Sequence, residues 1–181
     1  LRKPEEDREA DTDLFSPKKK KSKGDTAASP VSKENLAIAK SWLASSDEYN
    51  LLVNGTAITA FPVYYQNDLA LLRQSLRIVQ AGTEVAEVKG KDLIPAHGLA
   101  MSRLLKTSVF STEALTYEQA IAYLRKEAIV LPPSVPKGYV LVTYKEIPLG
   151  FVKNIGNRAN NLYPQEWRIR SGYLPDDIRT L

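Results

Sequence analysis

At 181 residues, with 43% hydrophobic and 25% charged side chains, the chain has a globular composition and room for one ordinary domain or two small ones. It contains no cysteine, which excludes disulfides, thiolate metal sites and a cysteine nucleophile within these residues and fits a cytoplasmic setting. The net charge is +4; no apolar run approaches the roughly 20 residues that span a bilayer, and the first residues do not have the form of a signal peptide.

Residue 1 is Leu rather than Met, which points to a piece processed or cut from something longer. Residues 1–33 hold few large apolar side chains beyond Leu1, Leu14, Phe15 and Val31, too few to offset the entropy of ordering them. An acidic stretch from Glu5 to Asp13 precedes a lysine run (Lys18, Lys19, Lys20, Lys21 and Lys23). This reads as a flexible charged linker; the lysines serve either as a solvated connector or as a tether for RNA phosphates.

Ser32 is placed to cap a helix from about Lys33, with Leu36, Ile38, Ala39, Trp42 and Leu43 as its apolar face. Asn54-Gly55 between two β-rich runs predicts a hairpin over residues 49–63. Asn67 or Asp68 caps a short helix with Leu69 and Leu72 inward. A strand pattern follows from Leu76 through Ile78, Val85 and Val88. Pro95 opens a helix through His97, Leu99, Met101, Leu104 and Leu105. Thr116 and Gln119 form a capping box for a helix whose face is Tyr117, Ile121, Leu124 and Ala128.

Residues 129–131 read as extended and are ended by Pro132 and Pro133. Two strands, residues 138–145 and 148–155, are joined around residues 146–148. A loop rich in Gly and Asn over 156–161 leads to a short strand at 167–170, and the residues after Gly172 read as frayed. Short strands interleaved with single short helices lack the βαβ rhythm of a nucleotide-binding sheet. The fold class is α+β, short helices with β-hairpins and a compact, barrel-like C-terminal half.

The residues for several kinds of chemistry are missing. The single histidine, His97, stands next to no second metal ligand and reads more simply as a polar structural residue. No glycine-rich nucleotide loop and no nucleophile elbow occurs. No catalytic residue and no metal site is therefore assigned.

Charge is unevenly distributed. Residues 34–136 hold nine Lys and Arg against ten Asp and Glu, whereas residues 137–170 hold six against two. In that basic block cations alternate with aromatic and amide residues, the vocabulary of RNA contact: cations for phosphates, amides for base edges and 2′-hydroxyls, rings for stacking. Phe151, Trp167 and one strand tyrosine read as core instead, and the asparagines also suit turns. Lys153, Arg158, Asn160 and Asn161, at a strand end and in the loop after it, are the leading RNA-binding candidates.

The stretch PLGFVKNIGNRANNLYPQEWRI (148–169) resembles the C-terminal PUA-like module of RsmF-type members of the Sun family of RNA 5-methylcytosine methyltransferases. The matching positions are Leu149, Gly150, Lys153, Arg158, Asn160 or Asn161, Tyr163 and Pro164. Upstream, EVKGKDLIPAHGLAMS (87–102) resembles the small domain preceding that module, through Lys89, Pro95, His97, Leu99 and Ala100.

After the charged linker over 1–33, the resemblance implies a small α+β middle domain over 34–110 and a PUA-like β-pseudobarrel over 111–181. It adds Tyr163 to the expected RNA-binding set, and Lys89, Lys91 and His97 on the upstream hairpin form a second edge of that set. It also implies structured RNA, ribosomal in the first instance, and the family's own methyltransferase domain as partners, and a cytoplasmic location. The catalytic cysteines and the S-adenosylmethionine pocket of the family find no counterpart here, so that cofactor is expected in a separate catalytic domain and none in this chain. The competing expectation is a protein-interaction module with no RNA contact, its basic strip an ordinary solvated face.

Overall fold

A computed structural model describes residues 31–170. The linker expected over 1–33 lies outside these residues up to position 30, as does the fraying expected after Gly172. Val31 is buried against the core, and the Ser32 hydroxyl accepts a hydrogen bond from the Asn35 amide, 3.1 Å, capping α1 (Lys33–Ser41). From the expected apolar face, Ala39, Trp42 and Leu43 are buried, while Ile38 is exposed.

The first sheet is an antiparallel meander, β1 (Tyr49–Asn54), β2 (Ala57–Pro62), β3 (Thr83–Lys89) and β4 (Asp92–Pro95). The Asn54-Gly55 hairpin is present, shifted by one residue. Asn54 pairs with Ala57, so the turn residues are Gly55 and Thr56, with positive φ at Gly55 alone as in a type II′ turn. α2 (Gln66–Ser75) buries Leu69, but Leu72, expected inward, is 47% exposed. The strand expected from Leu76 begins only at Thr83. β2 pairs with β3 no further than Ala60–Thr83 and ends at Pro62, so residues 76–82 meet no strand edge.

α3 is four residues long (His97–Ala100) rather than running through Leu105. The Ser102 hydroxyl donates to the Leu99 carbonyl, 2.9 Å, and accepts the Leu104 amide, 3.3 Å, which turns the chain out of the helix. The second sheet follows, in the order β5 (Ser111–Ala114), β6 (Gly138–Tyr144), β7 (Ile147–Asn154) and β8 (Ala159–Asn161). β5 runs parallel to β6, and the chain crosses between them through α4 (Tyr117–Leu124). Both bonds of the Thr116/Gln119 capping box are made. Where a strand was expected at 167–170 there is a single 3-10 turn, Gln165–Trp167, after Pro164, which has no N–H to donate. Trp167, expected in the core, is 60% exposed.

The α+β class with short helices and β-hairpins is borne out, with two four-stranded sheets and no closed barrel among the described residues. The β6–β7 hairpin is buried on both faces. Leu141 and Phe151 face the first sheet in a cluster with Ile58, Val85, Val88 and Leu99; Phe110 bridges Trp42 and Phe151 at centroid distances of 5.3 and 4.8 Å. Val140, Val142 and Val152 face Tyr123, Ile129 and Leu131 on the other side. A bulge between Val142 and Thr143 leaves Leu149 without a partner on β6, so Leu149 turns to this second cluster instead of joining Phe151.

Beside the bulge stands Gly150, buried with φ +141°. A Cβ there would fall on the Tyr123 hydroxyl and close to His97 Nδ1. Its absence lets Tyr123, fully buried, donate to the Phe151 carbonyl at 3.2 Å. Gly55 also has positive φ, but a Cβ there meets nothing within 4 Å. Gly55→Ala is therefore expected to cost about 1 kcal/mol, the backbone penalty alone. Gly150→Ala adds displacement of Tyr123 and should cost at least ~3 kcal/mol, in the range of severe core lesions. Equilibrium denaturation of both variants checks this, and equal losses would contradict it.

Candidate nucleic-acid interface

The expected contact residues fall into three neighbouring sets. In the first, the ladder aligns Tyr139 on β6, Lys153 on β7 and Asn160 on β8 in one row. Cross-strand neighbours share a face, so these three side chains point the same way. Lys153 Nζ donates to Asp92 Oδ2 at 2.6 Å and lies 5.6 Å from the Tyr139 ring centroid. Its pKa is raised, first by the hydrogen bond to Asp92 and then by Tyr139. Asp92 opens β4, directly after the β3–β4 turn that carries Lys91, and Lys89 ends β3. The Lys153–Asp92 pair therefore brings the upstream hairpin, with its exposed Lys89 and Lys91, beside the end of β7.

The second set is the loop between β7 and β8. Asn154 is buried: its amide donates to the Val135 and Pro136 carbonyls at 3.0 and 3.1 Å and its oxygen accepts the Gly156 amide at 3.0 Å. The Ile155 amide donates to the Arg158 carbonyl, 3.0 Å, which closes the loop and leaves Arg158 exposed. Among the described residues no hydrogen bond or ion pair holds the Arg158 guanidinium. Asn161 turns inward. Its amide donates to the Tyr123 and Glu127 carbonyls, 2.8 and 3.0 Å, and its oxygen accepts the Tyr163 amide, 2.9 Å, so its hydrogen bonds tie β8 to the end of α4.

The third set lines a groove of about 750 Å³ between β3, the start of α3 and the segment after β8. His97 stands in it with Tyr163 and Trp167 packed edge-on at centroid distances of 5.2 Å each, and Tyr163 in turn meets Tyr123 at 5.4 Å. Lys126, held by a positive φ of 65°, donates to the Tyr163 carbonyl. Burial lowers the Lys126 pKa, an effect opposed by Glu166, and burial also lowers that of His97. Glu84 and Glu87 line the β3 side, where burial and then repulsion from Glu87 raise the Glu84 pKa.

Lys89 and His97 thus converge with Lys126 and Trp167 on the groove, with Tyr163 packed behind His97, whereas Lys153 and Asn160 belong to the strip and Arg158 to the loop. Lys126, Asp92 and Glu84 escaped sequence reasoning, while Tyr139 was read only as one of the aromatic residues of the basic block. Lys126 sits in the triplet Arg125-Lys126-Glu127, which reads as a solvated helix end, and nothing in sequence spacing links Asp92 to Lys153. No cluster of three or more potential metal-ligating His, Asp or Glu side chains occurs among the described residues. No described helix is long and apolar enough to cross a membrane.

Residues 110–169, which contain the whole second sheet, match the family model for the methyltransferase RsmF PUA domain. The C-terminal block is similar to the RsmF PUA domain. Over 138 residues the chain is 29% identical to the ribosomal RNA small subunit methyltransferase F of Enterobacter sp. (strain 638), covering 76% of this chain and 27% of that protein. It is 28% identical over 99 residues to the protein of the same name from Klebsiella pneumoniae (strain 342), covering 55% of this chain and 20% of that one. Both aligned stretches are longer than the PUA match, so the likeness to RsmF-type proteins extends beyond that domain. The chain spans about a quarter or less of the length of these relatives.

His97 packs against Tyr163 and Trp167 of the C-terminal block, and its environment yields a direct test. Its folded pKa lies below the unfolded value of 6.5 because burial disfavours the imidazolium. The unfolded chain therefore binds more protons in the window below 6.5, and this contribution to stability is lost as pH falls through it. A proton NMR titration of the single imidazole should show a midpoint below 6.5; a midpoint above it would contradict the placement.

Proposed function

We propose that this chain is the RNA-binding C-terminal region of an S-adenosylmethionine-dependent rRNA (cytosine-5) methyltransferase, docking structured RNA for a catalytic domain outside these residues. The observation that carries this reading is the Lys153–Asp92 pair, which sets the Lys89/Lys91 hairpin beside the strip and loop of an RsmF-type PUA domain. Lys89, Lys91, Lys153 and Arg158 supply the charge that meets phosphates, and Asn160 supplies an exposed amide for base edges or 2′-hydroxyls. Asn161 acts through the shape of β8, which its bonds maintain, while His97 lines the adjoining groove with Tyr163 packed behind it.

Methyl transfer itself has no residues here. The chain has no cysteine, and no glycine-rich strand–loop–helix occurs among the described residues, so the cysteines and the methyl donor belong to the catalytic domain of the longer protein. Such a protein works where rRNA is made and assembled, in the bacterial cytoplasm. A second reading, contact with protein, rests on exposed apolar side chains around α2: Tyr64 at 85%, Leu71 at 65% and Val79 at 93% exposure. The methyltransferase domain of the same protein is the partner this face suits.

RNA binding is tested by its salt dependence. Arg158→Ala should weaken binding of a structured RNA by about tenfold or less and shallow the slope of log affinity against log salt by ~0.7 for a lost single-strand phosphate contact. Asn160→Ala should weaken binding with no change in slope, because an amide displaces no counterion. Fluorescence anisotropy at three salt concentrations reads both. Folded variants with unchanged affinity and slope would remove the RNA surface from these residues and favour the protein-contact reading.

A further inference from the structure

The groove differs from the strip beside it in charge. Glu84, Glu87 and Glu166 line it against Lys89 and Lys126, so its acidic balance repels a phosphate that the neighbouring lysines and Arg158 would attract. What it offers instead is a ring and acceptors. Trp167 is 60% exposed although it is fixed edge-on against His97, with the planes at 81°. The indole is therefore supported through His97 and Tyr163 by buried Tyr123 and still has surface free for stacking. Edge-on packing against His97 restricts the ring before any ligand arrives, which lowers the ordering cost of binding.

Opposite it on β3, Glu84 and Glu87 lie close enough for the charge of one to raise the pKa of the other. Such carboxylates are stabilised by N–H donors. The Nδ1 atom of His97 is buried beside Gly150 and takes no part in the groove's surface, so the acceptors the groove offers are the β3 carboxylates. The groove volume, about 750 Å³, falls within the range of roughly 300–1,000 Å³ typical of small-ligand sites.

We propose that this groove receives one unstacked nucleobase of the bound RNA, stacked on Trp167 and reading guanine by a carboxylate of β3. Guanine presents N1–H and its N2 amino group side by side, two donors that match the two oxygens of one carboxylate. Uracil has a single ring N–H and no amino group. Lys89, exposed at the end of β3, stands at the groove's edge to meet a phosphate beside the inserted nucleotide. The proposal rests on the RNA-binding reading and deepens it: the strip and loop hold the backbone, and the groove selects a base.

The test uses the chain with three single-stranded RNA hexamers: oligo-uridine, the same with one central guanosine, and the same with inosine, which lacks the N2 amino group. Indole fluorescence reports the groove, because the other tryptophan, Trp42, is buried against Phe110. The guanosine hexamer is expected to bind about tenfold more tightly than the other two and to quench Trp167. Trp167→Phe should keep that preference and lose the quenching. Trp167→Ala should lose the preference without altering the salt slope, and Glu84→Gln should bring guanosine and inosine to equal affinity. Thermal melts establish that each variant is folded. Salt-dependent RNA binding with no guanosine preference and no quenching overturns the base pocket while leaving the RNA surface standing. Absence of salt-dependent binding to hexamers and to structured RNA alike overturns both. Quenching of Trp167 by a lysine-rich peptide but by none of the hexamers assigns the groove to a basic protein segment and also overturns the proposal.

Discussion

The packing of Leu141 and Phe151 against the first sheet is the contact on which the rest of the structure depends. β6 and β7 have apolar residues on both faces, and each face serves a different cluster. One gathers Val85, Val88, Leu99 and Phe110 around Phe151; the other gathers Tyr123, Ile129 and Leu131 around Val140, Val142 and Val152. A hairpin buried on two sides cannot slip by one residue without exchanging its clusters, so register is strongly specified. Removing the Phe151 ring would cost about 3–5 kcal/mol, a large part of the stability of a chain this size. Gly150 sharpens the constraint, since the space its missing side chain leaves is filled by the Tyr123 hydroxyl.

The candidate interface follows from this arrangement. Phe151 and Lys153 alternate onto the same face of β7. The face that is core at Phe151 therefore becomes surface two residues later, where the strand leaves the first sheet and Lys153 meets Asp92. A shared core and an ion pair of the two sheets act at adjacent positions of one strand. The exposed pair itself adds little stability; its consequence is positional, because it holds the Lys89/Lys91 turn beside the end of β7. On the other side of the same junction, the aromatic row from Tyr123 through Tyr163 and His97 to Trp167 runs from core to groove.

Much of this was legible in the residues, and the gaps have physical causes. The Thr116/Gln119 box and the Asn54-Gly55 signal are local, and local chemistry decides them; even there the turn moved one residue, onto Gly55-Thr56. The β6–β7 pairing was readable from two adjacent apolar runs, and its turn is made by Lys145 and Glu146, both at positive φ, where no glycine marks it. β5 was not foreseen, because three of its four residues are exposed and show no alternation. Trp167 was assigned to the core on size alone, which composition cannot distinguish from an exposed ring. Among the asparagines, sequence treated Asn160 and Asn161 as equals. Only the fold shows that Asn161 points to the carbonyls at the end of α4 while Asn160 shares a row with Lys153.

The two sheets are expected to fold as one cooperative unit through Phe151, and native-state hydrogen exchange tests this most directly. The amides of Val85 and Ala86 in β3 and those of Val140 and Val152 in the second sheet should share one opening free energy, and Phe151→Ala should lower all four by the same amount. If that variant lowered protection in the second sheet alone and left β3 unchanged, the sheets would be independent, and the interface built across their junction would lose its support.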